Sequence, residues 1–241
     1  KPGQLAKTTG NAEDKDNPGD LALHHKKSGK HISVSLKFGA KPGLRSPGLK
    51  DLHKLANIES DDKAKDDHYK EIEHIGKNNG IHGKTASLRN KAFRAAEKDP
   101  SKSESVKEIN KKSLEHRSHV ASRLAAGFNN LNHEEHKNVV RRLMNAEQTN
   151  TPTVKLHYDT KKKSVHISDP VGEMDNIHKN TKKFHFEHKG MYVHVHAIDH
   201  DGKSHHIGVL GIKNNSSPFT HTVGNMSKGK NYDKFANRGH D

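Results

Sequence analysis

The stretch that decides the fold is Lys183–Ile212, KFHFEHKGMYVHVHAIDHDGKSHHIGVLGI. Apolar and polar residues alternate through it with a period of two, as in strands that bury one face only. Lys189-Gly190 and His200-Asp201-Gly202 read as turns and cut it into three antiparallel strands. A two-residue turn at Lys189-Gly190 predicts Phe186 opposite Val193 and Phe184 opposite Val195. At the second turn, a three-residue loop with Gly202 in the left-handed region is preferred, because it keeps apolar opposite apolar. It predicts Val195 opposite Ile207, Val193 opposite Val209, and His206 opposite His196. Phe184, Phe186, Val193, Val195 and Ala197 then share one face. His185, Glu187, Tyr192, His194, His196 and His206 share the other, with imidazoles roughly 5–8 Å apart between Cβ atoms.

Outward from this stretch, two more segments alternate. Residues 31–38, HISVSLKF, put Ile32, Val34, Leu36 and Phe38 on one side. This strand is expected to join the C-terminal sheet, since a lone strand is unstable. Residues 153–168 read as a hairpin with Leu156 opposite Ile167 and His157 opposite His166. Between these segments, 46–147 reads as helical. Ser46-Pro47 opens a first helix, a second runs from about Asp61 to Ile75, and a third covers about 85–98. A fourth runs from Ser101 to Phe128 with Val106, Ile109, Leu114, Val120, Leu124 and Phe128 as its stripe. A fifth is capped by Asn132 with Glu135 three residues on. Residues 169–182 read as a loop around Pro170 and Gly172.

The fold class expected is α+β: a disordered basic N-terminal arm (1–29), then one domain (30–213) and a polar tail (214–241). The domain comprises the 31–38 strand, helices within 46–147, and an antiparallel β-meander of about five strands over 153–213, with helices on one face. Ten side chains form the expected buried sheet face: Val154, Leu156, Val165, Ile167, Phe184, Phe186, Val193, Val195, Ile207 and Val209.

Composition bounds the function. Of 241 residues only 29% are hydrophobic while 30% are charged, which is lean for a core spanning the whole chain. There is no Cys, so disulfides and thiolate zinc sites are excluded, and no Trp, with aromatics at 5%, so base-stacking platforms are few. Lys and Arg number 43 against 29 acids, a net charge of +14 before any of the 23 His is protonated. Such a chain favours anionic polymers: nucleic acid, acidic polysaccharide or an anionic membrane surface. No apolar run reaches the length of a membrane span. The chain begins at Lys1 rather than Met, from which a processed, secreted protein is expected, one that acts outside its producer or is delivered into another cell.

Three chemistries fit the residues. His185, His194, His196 and His206, with Glu187 near, offer neutral imidazoles of the kind that hold Zn²⁺ or another divalent transition metal. Lys161, Lys162, Lys163, Lys182 and Lys183, with Lys111, Lys112, Arg141 and Arg142, are candidate polyanion contacts of the kind that add affinity without reading sequence. Paired His (His185, His194 or His206) with Lys183 or Lys203 match the residue types of a metal-independent ribonuclease, with one imidazole as base, one as acid and Lys on the phosphorane. The leading expectation is a secreted, basic, His-rich binding protein of effector or surface-binding type; the alternative is a toxin-type ribonuclease using the same face. A third option is an interaction module whose histidines have no specific task. His133-Glu134-Glu135-His136 is not a zincin motif, since its two His are three apart, and neither a nucleophile elbow nor a phosphate-binding loop occurs.

Overall fold

The computed structural model describes residues 5–8, 21–24, 31–38, 47–147 and 153–238. These build an α+β fold with two sheets. The first has five strands in the order β1 (Leu5–Thr8), β2 (Leu21–His24), β3 (His31–Phe38), β4 (Thr153–Asp159) and β5 (Ser164–Ser168). The second is a four-stranded antiparallel meander of β6 (Thr181–Lys189), β7 (Tyr192–Asp199), β8 (Ser204–Asn214) and β9 (Thr222–Lys228). The helices are α1 (Leu49–Leu55), α2 (Asp62–Asn78), α3 (Ala86–Ala96), α4 (Ser103–Asn129), α5 (His133–Leu143), α6 (Pro170–Lys179) and α7 (Tyr232–Ala236).

The helices begin where side chains can satisfy the free N–H groups of a first turn. Asp61 accepts from Ala64, Thr85 from Leu88, and Asn132 and Glu135 close a reciprocal capping box. The first helix starts later than its sequence suggests, with Gly48 as its N-cap; Ser46 lies outside the described residues. Gly48 is instead bridged to Val223, and Pro47 accepts from Gly224 N–H at 2.9 Å, so this segment lies against β9.

Two apolar clusters hold the described residues together. In the larger, Val120, Ala121, Leu124, Ala125 and Phe128 of α4 pack on the inner face of the meander, among Phe184, Phe186, Val193, Val195, Ala197, Ile207, Leu210 and Ile212. Phe128 and Phe186 are in ring contact, centroids 4.9 Å apart. In the smaller, Ile72, Ile75, Ile81, Phe93, Ala96, Ile109 and Phe219 join α2, α3 and the first half of α4. The α4 stripe differs from the expected one at a single turn. Leu114 is exposed, and Ser113 takes the buried place and accepts from Asn214 Nδ2 at 2.8 Å. Leucine's hydrophobicity points to Leu114, but the spacing 106, 109, 113, 116, 120, 124 points to Ser113 and His116.

Several expectations are corrected. The meander does not continue into the 153–168 hairpin, whose strands belong to the first sheet. The strand at 31–38 pairs in parallel with β4, Val34 with Val154 and Leu36 with Leu156, and not with the C-terminal sheet. The hairpin register itself agrees with the sequence reading, Leu156 opposite Ile167 and His157 opposite His166. Its expected apolar face is not buried, however: Val165 is 57% and Ile167 73% exposed, and Val154 and Leu156 are only half-buried. The segment 169–182 contains α6, for Asp169 accepts from the N–H groups of Val171 and Gly172 and Pro170 sits in the first turn. Its Met174 and Ile177 reach the main core. The C-terminal region is not a loose tail. It adds β9 and α7, with Phe219, Met226, Tyr232 and Phe235 all buried. Its strand presents Thr222, Gly224 and Met226 inward, a face with one large apolar residue and therefore little hydropathy signal. Of the arm expected to be disordered, Leu5–Thr8 and Leu21–His24 are strands; the rest of it lies outside the described residues.

Candidate functional site

The outer face of the meander is set by strand alternation, two turns and one bulge. In β6 the buried Phe184 and Phe186 alternate with exposed Lys183, His185 and Glu187. The chain reverses through Gly190-Met191, not Lys189-Gly190. Gly190 has φ 58° at the first central position, the place a type II′ turn gives to glycine. The pairs become Phe186 with Val195, Phe184 with Ala197, His185 with His196 and Glu187 with His194. Each partner moves by two residues, so every side chain keeps its expected face.

The second turn has Gly202 at φ 82°, as expected. Asp199 shapes it: its Oδ1 accepts from Asp201 N–H at 3.1 Å and Lys203 N–H at 2.9 Å, while Oδ2 takes His205 Nε2 at 2.9 Å and Arg238 at 2.8 Å. The His205 and Arg238 contacts hold this carboxyl far below the usual carboxylate range. His196 lies opposite His206, as the sequence predicts.

Beyond that pair the prediction fails by one residue. A bulge makes Ile207 supernumerary, so Val195 faces Gly208 and Val193 faces Leu210. The alternation of β8 inverts there: Leu210 and Ile212 point inward, and Val209 moves out, opposite His194. The bulge carbonyls are collected by the chain after β9. Gly229 N–H donates to Ile207 O at 2.8 Å and Asn231 N–H to His206 O at 3.0 Å. Only glycine fits at 229, because a Cβ there would lie 2.5 Å from His206 O and 2.7 Å from Gly208 N.

Three of the four predicted metal ligands gather tightly. His194 Nδ1 and His206 Nε2 are 3.0 Å apart, so one ring donates and the other accepts. Ring centroids are 4.9 Å apart for His194–His206, 5.2 Å for His196–His206 and 6.5 Å for His194–His196. His185 stands at the margin, 6.4 Å from His196. Ser204 Oγ lies 3.2 Å from His196 Nδ1. Glu187 Oε2 is 3.2 Å from His196 Nε2, near enough for an ion pair but outside hydrogen-bond geometry, which leaves that buried nitrogen without a hydrogen-bond partner. Burial pushes His206 below the ordinary imidazole range, and the charges of His194 and His196 push it further. Burial also lowers His196, against the pull of Glu187.

Among the described residues no group of three or more His, Cys, Asp or Glu side chains is arranged to hold a metal ion. As the rings stand, His194 Nδ1 and His206 Nε2 are hydrogen-bonded to each other, whereas a metal needs the lone pairs of its ligands to converge on a point ~2.0–2.1 Å from each nitrogen. His157 and His166, in ring contact at 5.9 Å, form a separate pair on the first sheet.

The five predicted polyanion lysines belong to two different sheets. Lys161, Lys162 and Lys163 sit on the β4–β5 turn, where Asp159 Oδ1 accepts from the backbone N–H groups of Lys161 and Lys162. Lys182 and Lys183 open β6 on the other sheet, and Lys183 shares the histidine face. Two neighbours of this face were missed by sequence reasoning. Ser204 was legible from its alternation with His206. Lys230, whose charge acts on His206, belongs to the segment taken for a tail. No helix among the described residues is long and apolar enough to cross a membrane. Comparison with protein-family models, curated proteins and solved structures finds no match.

Proposed function

We propose that the protein is a non-enzymatic binder of anionic polymers, engaging them through the outer face of the meander with an affinity that rises as that face takes up protons. One observation carries this reading: His194, His196 and His206 lie half-buried within 6.5 Å of one another on the outer sheet face that also carries Lys183, with Lys230 near His206. The charges that act on His196 and His206 are those of Glu187 and His185 on β6, of His194 and of each other, and of Lys230; Lys183 on β6, Tyr192 on β7 and Ser204 on β8 share the face. Near neutrality burial keeps His196 and His206 largely uncharged. A row of phosphates or sulfates against the face would favour the imidazolium forms and so draw protons in on binding. The net charge of +14 adds a salt-dependent attraction of the same sign.

The same contact supports binding over cleavage. General base and general acid must stand on opposite sides of a scissile phosphate, and His194 and His206 are bonded to each other instead. A labelled single-stranded RNA oligonucleotide in EDTA tests both readings, with anisotropy for binding and gel analysis for integrity. The RNA should stay intact and bind more tightly at pH 5.5 than at 7.5. His194→Gln/His206→Gln should lose most of that pH dependence while keeping the salt dependence. An affinity equal at both pH values, or a pH response unchanged in the double variant, would overturn the reading. Cleavage that persists in EDTA and disappears in the double variant would establish the ribonuclease instead.

A further inference from the structure

A second site lies away from the histidine face. A cleft of about 740 Å³ opens between α1, α2, α4 and the chain entering β9. Its size falls in the range that encloses one small organic molecule. Leu49, Ile58 and Tyr69 form apolar walls, and His53 and His116 line it from deeper in the fold, each only 9% exposed. Neither imidazole makes a side-chain hydrogen bond among the described residues. His116 is fixed by stacking on His68, centroids 4.3 Å apart and planes 2° from parallel. Burial lowers both lining histidines below the usual imidazole range, so at neutral pH they present uncharged rings to the cleft.

The mouth has the opposite character. Lys50, Lys54 and Lys65 are exposed there against one carboxylate, Asp62. Asp62 stands 4.0 Å from Lys65, whereas Lys50 and Lys54 have no ion pair among the described residues. An uncharged, largely apolar interior below a cationic rim complements a molecule of two parts.

We propose that this cleft binds a small amphipathic anion, with its apolar body against Leu49, Ile58 and Tyr69 and its charged head at Lys50 and Lys54. An extended polymer suits a sheet face and not a cleft of this size. A neutral apolar ligand would leave the rim lysines unused, and a cation would be repelled by them.

The probe is 8-anilinonaphthalene-1-sulfonate, an aromatic anion whose fluorescence rises in apolar surroundings. Titrated onto the full chain, it should bind saturably, be displaced by decanoate, and resist decanol at the same concentration. Lys50→Glu/Lys54→Glu should weaken both anions about tenfold. Lys161→Glu/Lys162→Glu, the same charge change on the β4–β5 turn, which does not line the cleft, should leave both affinities unchanged. Both variants alter exposed side chains, and circular dichroism checks that they fold. Equal weakening in the two variants, equal competition by decanol, or no saturable binding below millimolar probe would each overturn the proposal.

Discussion

Replacing His68 by Phe should flatten the acid sensitivity of the fold. The ring lies on α2, 7% exposed, stacked on His116, and makes no side-chain hydrogen bond among the described residues. Burial, then the charge of His116, lowers it from 6.5 to about 4. In the unfolded chain it titrates near 6.5, so between pH 6.5 and 4 the unfolded state binds a proton that the folded state refuses. Stability contributed by the neutral ring is therefore complete above pH 6.5 and drains away as pH falls toward 4. One unit of difference is worth ~1.4 kcal/mol, so about 3.5 kcal/mol is lost in full and about 2 kcal/mol by pH 5. Phe keeps the ring stack and cannot take up the proton. Urea unfolding followed by circular dichroism at pH 7 and pH 5 measures the difference. His68→Phe should lose about 2 kcal/mol less than the parent between the two pH values. Equal losses in the two proteins would refute the assignment.

Gly229→Ala should cost ~1–3 kcal/mol, because its Cβ meets backbone atoms of the β8 bulge that cannot yield without moving His206; urea unfolding gives the cost, and the His206 ring resonances in NMR should shift. Phe186→Ala opens a hole beneath Phe128 at the centre of the main core and should cost ~3–5 kcal/mol by the same unfolding measurement. Asp199→Asn removes the acceptor shared by His205 and Arg238 and should lower the midpoint of thermal unfolding at pH 7. Zinc added in a calorimeter should give the same heat with the parent and with His194→Gln/His206→Gln, since those nitrogens face each other; uptake lost only in the variant would show that the rings reorient around an ion.

Much of the meander was legible because strand alternation is a local property. The first hairpin turned one position later than expected, yet the partners moved by an even number and no side chain changed face. The bulge was not legible: in Ile207-Gly208-Val209-Leu210-Gly211-Ile212 either alternation places apolar residues inward, and the choice depends on Gly229, which is distant in sequence. The pairing of 31–38 with β4 was hidden for a related reason, since two strands of similar alternation carry no local mark of their partner. The tail and α6 were missed through composition. Met226 is the one large apolar residue on the inward face of β9, and Asp169-Pro170 has the composition of a loop but starts a helix. Histidine misled most. His53, His68, His116 and His136 occupy core-facing positions on four helices, where a reading of polar against apolar counts them as surface. The three-ring cluster at 194, 196 and 206 was foreseeable from the turn at Gly202, which is close in sequence. The mutual bond between His194 and His206 needs the bulge as well.

The inverted alternation of β8 also sorts where the chain can change length. Residues before Ile207 and residues after it obey opposite rules, and the extra residue keeps both rules true at once. Deleting any one residue of His206-Ile207-Gly208 would remove that half-step, turning Leu210 and Ile212 to solvent or driving an imidazole into the packed interior. Lengthening the 200–203 turn leaves both halves in phase with their neighbours. Natural or engineered variants of this protein should therefore accept insertions at the hairpin tip and none across the bulge.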